Sequence, residues 1–133
     1  MTAITLSGAT AVINAAVVKS TEIGVDMNIA VVDAAGHLVH FARMNSAWLG
    51  SIDISIKKAK TSVLFRMPSA AIGELSQPGG SLYNIEISNG GLISFGGGVP
   101  LLDEEGHTIG GVGVSGGSVE QDVIVAEAAA KAI

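Results

Sequence analysis

The charged residues in the most apolar surroundings of this chain are Arg43, Lys58, Glu86 and Asp122. Arg43 closes a β-rich run and Lys58 falls near the inner edge of a helical pattern, so both can face a cleft. A guanidinium and an ammonium there suit the carboxylates of a small acid or of an acidic macrocycle. The same set also permits acid–base chemistry, with Arg43 as a carboxylate anchor and Asp122, Glu86 or Lys58 as general acid or base. The structural alternative is simple ion pairing, Arg43 with Asp53 or Lys58 with Asp122. Residue types alone do not separate these possibilities.

A second constellation is the stretch Phe95 to Gly117, FGGGVPLLDEEGHTIGGVGVSGG. Gly96, Gly97 and Gly98 precede a short apolar run, and Gly110, Gly111, Gly113, Gly116 and Gly117 punctuate a longer one and its exit. Glycine weakens a strand, so this density implies that a ligand, a helix or another subunit approaches the backbone closely. Gly111 to Gly116 fits G-x-G-x-x-G, but the chain ends one helix later, without the second parallel strand and acidic residue of a dinucleotide site. What survives is an anion site, in which backbone N–H groups of Gly116, Gly117 and Ser118 point outward at a helix N-terminus. A pocket floored by these glycines, walled by Ile93, Phe95 and Val114, is the expectation.

His37 and His107 each follow a hairpin glycine, where a solvated loop-tip side chain is the default. If the strands carrying them are antiparallel neighbours, both tips share one end of the sheet, where an iron contact is the alternative. His40 lies mid-strand between Val39 and Phe41, as a core histidine or an iron ligand. With no cysteine, disulfides, thiolate metal sites and cysteine nucleophiles are excluded. Gly96 to Gly98 lead into Val-Pro rather than Gly-Lys-Ser/Thr, which removes phosphate-binding loops.

The elements that must position these residues follow from periodicity and punctuation. Ser7 to Ile23 reads as a helix closed by Gly24 in the left-handed region. Met27 to Asp33 and His37 to Arg43 form a hairpin about Asp33-Ala34-Ala35-Gly36, and the same Asp-x-x-Gly-His turn returns at Asp103 to His107. Ser51 to Arg66 is a second helix ended by Pro68, and Ser69 to Leu75 a short third. The segment from Ser76 to Gly91 is loop with a helical turn around Leu82 to Ile85. Leu92 to Phe95 reads as a short strand before the triple glycine. Ser118 caps a last helix, with Gln121 completing a capping box, that runs to the chain end. The order predicts an α+β fold with a five-stranded antiparallel sheet and helices packed against it.

At 133 residues the chain suits a single domain, residues 1–133. It is 48% apolar and 14% charged, and a mean hydropathy of +0.53 is high for a monomer, which points to self-association. Four of the seven basic residues cluster between Lys57 and Arg66 within a net charge of −5, so no broad positive face for nucleic acid is expected. No apolar run of about 18 residues and no basic-then-apolar leader occur, so neither a membrane span nor export is expected, and a cytoplasmic location follows.

Taken together, Arg-Met-x-x-Ala from Arg43, Lys-Ala-x-Thr from Lys58, Phe-Gly-Gly-Gly-x-Pro from Phe95 and Gly-Val-Ser-Gly-Gly-x-x-x-Gln-Asp from Gly113 resemble the GlcG/HbpS family, also described as haem-degrading or PduO C-terminal-like. The resemblance spans nearly the whole chain. It implies a profilin-like or PAS-like sheet, a symmetric homo-oligomer, and binding of haem or a related tetrapyrrole, with haem degradation or cobalamin-linked diol metabolism as the setting. By position it marks Arg43, Lys58, Gly96, Gly97, Gly98, Ser115, Gly116, Gly117 and Asp122 as ligand-binding residues. Asn45 stands where aspartate is usual, and the first helix lacks the histidine that a PduO-type domain can use for iron. His40 or Tyr83 is then the expected donor. A different class, an enzyme acting on a small hydroxy or oxo acid through the Arg43 anchor, is the alternative.

Overall fold

A computed structural model describes residues 3–133. Its elements run α1 (Leu6–Ile23), β1 (Asn28–Asp33), β2 (Leu38–Arg43), α2 (Gly50–Phe65), α3 (Ser69–Leu75), a 3-10 turn (Ile85–Ile87), β3 (Gly98–Leu102), β4 (Thr108–Ser115) and α4 (Val119–Ala130). The strands pair antiparallel in the order β2-β1-β4-β3. This is an α+β fold.

Local chemistry accounts for most boundaries. The Thr5 hydroxyl accepts from Gly8 N at 3.0 Å to open α1, and Gly24, at φ 74°, closes it. Both halves of the capping box at Ser118 and Gln121 form, and α4 then stops at Ala130, short of the chain end. The two hairpin turns are atomic copies. Asp33 Oδ1 accepts from Ala35 N and His37 N at 2.9 and 3.0 Å, and Asp103 Oδ1 from Glu105 N and His107 N, both at 2.9 Å. Gly36 and Gly106 take φ of 89° and 85°, the left-handed region that these turns need.

The sheet has four strands, not five. Leu92 to Phe95 joins no strand because its polar backbone atoms are claimed elsewhere. Leu92 N donates to Glu86 O, Ile93 N to Thr61 Oγ1, and Phe95 O accepts from Ser69 Oγ. The helical turn also falls later than expected, at Ile85–Ile87.

Period-two alternation divides the core between the two faces of the sheet. Ile29, Val31, Val112 and Val114 pack under α1 and α4 with Val12, Ala16, Val125 and Ala129. Ala30 and Val32 meet Ala59 and Val63 of α2 on the other face. Their cross-strand partners in β4 on that second face are Gly113 and Gly111.

Candidate functional site

The bare backbone of β4 is covered by the protein's own second helix. A Cβ on Gly113 would collide with the carbonyl oxygen of Ser55 and lie 2.6 Å from Ala59 N, and one on Gly111 would lie 2.6 Å from Ser62 Oγ. Gly98 is paired with Gly113 across the sheet, and a Cβ there would run into the Lys58 carbonyl. The close-approach reading of these glycines holds, with a helix as the approaching body. The glycine-floored pocket is therefore corrected: α2 fills it.

Lys58 rides on this helix into the interior. Its side chain is fully buried, and Nζ donates to Asp122 Oδ2 and to Val114 O, each at 2.9 Å. It also lies 4.9 Å from the centre of the Phe95 ring. A Cβ on Gly97 would stand 2.7 Å from that ammonium, so the triple glycine makes room for a side chain of this chain. The other oxygen of Asp122 accepts from Gly117 N at 2.9 Å, and Ser118 N donates to Gln121 Oε1 at 2.9 Å. These were the amides expected to hold an external anion. Asp122 and Gln121 of the same helix occupy that role instead.

Burial pushes Asp122 above the usual carboxylate range and Lys58 below the usual ammonium range, against their mutual attraction. Asp122, Lys58 and Glu86 are the sequence's candidates for acid–base work. Glu86 accepts from Ser94 Oγ at 2.7 Å, which lowers its pKa.

Arg43 is exposed, at the end of the sheet away from the hairpin turns, in a row where Asn28 pairs with both Arg43 and Ser115. It forms no ion pair among the described residues. Asp53, its suggested partner, instead bonds Lys57 at 3.0 Å. His40 is half-buried on the edge strand β2, opposite Val31. Tyr83 is 57% exposed in the loop before the 3-10 turn. The structure thus joins Lys58 to Asp122, and no hydrogen bond or ion pair among the described residues connects Arg43, His40 or Tyr83 to that pair.

A cleft of about 770 Å³ opens at the other end of the sheet, where the two hairpin turns meet the C-terminus of α2. Val63, Val99, Pro100 and Leu102 supply apolar walls, and Arg66 and His107 the ionisable groups. Antiparallel pairing of β1 with β4 brings the two turns together, as the sequence allowed. In the sequence Arg66 marks only the end of a helix. It sits in the left-handed region at φ 54°, where glycine is the usual occupant. The signal for it was the missing glycine before Pro68.

An antiparallel sheet carrying helices on both faces, with a buried lysine–aspartate pair behind a triple glycine and an open cleft at its hairpin end, defines a small α+β domain. The chain belongs to the haem degrading protein HbpS-like family, whose model matches residues 4–131. It is 42% identical over 127 residues, 95% of this chain and 89% of the relative, to a Citrobacter freundii protein known as the uncharacterized 15.0 kDa protein in the dhaT-dhaS intergenic region. It is likewise 42% identical over 120 residues to the corrinoid adenosyltransferase PduO of Citrobacter freundii, 90% of this chain but 36% of that protein. Among solved structures, the PduOC:haem complex superimposes with a TM-score of 0.92 at 36% identity, covering 98% of this chain and 95% of that one.

Proposed function

We propose that this protein is a cytoplasmic, homo-oligomeric binding protein for haem or a related tetrapyrrole, serving haem degradation or cobalamin-dependent diol metabolism. The observation that carries the reading is the likeness to PduOC, a relative solved as a haem complex, over 98% of this chain at 36% identity.

The residues present fit such a ligand in kind. A cleft of about 770 Å³ lies within the roughly 300–1,000 Å³ of small-molecule sites, and its apolar walls suit a macrocycle. Arg43 has no ion pair among the described residues but lies at the opposite end of the sheet from this cleft, while Lys58 is neutralised by Asp122. His40 and Tyr83 are of residue types that hold haem iron, but neither lines this cleft. Bound haem would supply an iron centre able to bind small ligands and exchange electrons. The protein's part is to bind, orient and shield it.

Self-association is supported by apolar side chains left in solvent, with Trp48 68%, Leu49 69% and Ile87 84% exposed. Titration of the purified chain with hemin tests the reading. A saturable Soret shift at fixed stoichiometry is expected, and a shift no greater than with an unrelated acidic protein refutes it. Native mass spectrometry of the same sample reports the subunit number, and a monomer refutes the oligomer.

A further inference from the structure

Resting on the tetrapyrrole reading, we propose that the macrocycle docks in the cleft at the hairpin end of the sheet, with His107 as the axial donor to iron and Arg66 pairing with a propionate.

His107 is prepared for such a role. Its Nδ1 lies 3.4 Å from Asp103 Oδ2 and 3.5 Å from Glu105 Oε2. Carboxylates on the Nδ1 side leave Nε2 as the nitrogen facing away from them, the arrangement found behind metal-bound histidines. Asp103 is itself held by two backbone N–H groups of the turn, and the His107 side chain is 53% exposed. His37 on the sister turn is 82% exposed, its Nδ1 3.8 Å from Asp33, and does not line the cleft.

A single donor also matches the kind of metal. Among the described residues no group of three or more His, Cys, Asp or Glu side chains could hold a bare ion. Iron that arrives inside four ring nitrogens needs only an axial ligand. The apolar walls from α2 and β3 would cover the macrocycle faces, with Asp103 and Glu105 behind His107 rather than among the residues that line the cleft.

Arg66 supplies the opposite charge. It has no ion pair among the described residues, and it holds a left-handed backbone, φ 54°, that glycine would adopt with less strain. An arginine kept there, lining a cleft, has the position of a carboxylate anchor.

The experiment is hemin titration of the full chain as wild type, His107→Ala, Arg66→Gly and His40→Ala, with melting temperatures for each. Arg66→Gly should weaken hemin about tenfold, the loss of one charge-assisted hydrogen bond, while its melting temperature holds or rises because strain is released. Hemin dimethyl ester, which lacks free carboxylates, should not distinguish Arg66→Gly from wild type. His107→Ala should lose the Soret position and ferric electron paramagnetic resonance signature of the wild-type complex, and His40→Ala should keep both. Wild-type binding that survives unchanged in both cleft variants overturns this site and leaves the haem reading standing. A wild type with no saturable shift overturns both.

Discussion

Lys58 and Asp122 lie 64 positions apart in the chain, and their buried side chains meet at 2.9 Å. The pair ties α2, on one face of the sheet, to the first turn of α4, on the other, through the gap left by the triple glycine. Asp122 also accepts from Gly117 N, and Lys58 donates to the last residues of β4 through Val114 O. One contact thus links two helices and a strand end.

Removing either partner leaves the other charged and buried. Lys58→Met or Asp122→Leu alone should cost about 3–5 kcal/mol of stability. The double variant should lose clearly less than the sum, since two neutral side chains escape the desolvation that already displaces both pKa values. Chemical denaturation of the four proteins in a double-mutant cycle measures the coupling, and additive losses would show that the pair does not act as a unit.

Gly113→Val should act on folding before it acts on binding. Its Cβ would meet the backbone of α2 at Ser55 and Ala59, which cannot give way as a flexible side chain can. A loss of about 3 kcal/mol or more is expected, read as a lower denaturation midpoint. A variant as stable as wild type would mean that α2 does not rest on β4 in solution.

The paired turns confer acid sensitivity. Asp33 and Asp103 are held below their ordinary value of 3.8, first by the N–H of His37 and of His107 respectively. A depressed folded-state pKa means the unfolded chain binds protons more readily. The turns' contribution is fully present above the unfolded value and is lost as pH falls through the folded one, in a window below about pH 4. Asp103→Asn keeps the acceptor oxygen and removes the charge, so the gap in melting temperature between it and wild type should narrow on acidification. A gap that stays constant with pH contradicts this assignment.

Ser118→Ala should lower stability by about 1 kcal/mol, because it breaks the bond from Gln121 N that half of the capping box supplies. Thermal melts measure it. Gln121→Ala removes the reciprocal bond to Ser118 N and should cost a similar amount. The two losses should be less than additive, since the halves of one box support each other.

What the chain's order of residues determined by itself is whatever neighbours decide. Gly24 ended α1, Ser118 and Gln121 capped α4, and Asp33-Ala34-Ala35-Gly36 made a hairpin because each needs only atoms within a few positions. The glycines of β4 announced that something would press on them, and the family followed from motifs that no single element carries. Tertiary structure decided what did the pressing. Leu92 to Phe95 looked like a strand, but it bonds with Glu86 and with Thr61 and Ser69, the last two distant in the chain. Lys58 and Asp122 looked as able to greet a ligand as each other, until packing α2 against β4 enclosed both. Arg66 and His107 came together only when antiparallel pairing gathered two turns and a helix end around one cleft. Contacts of that kind depend on which faces are buried against each other, and spacing along a chain does not encode that locally.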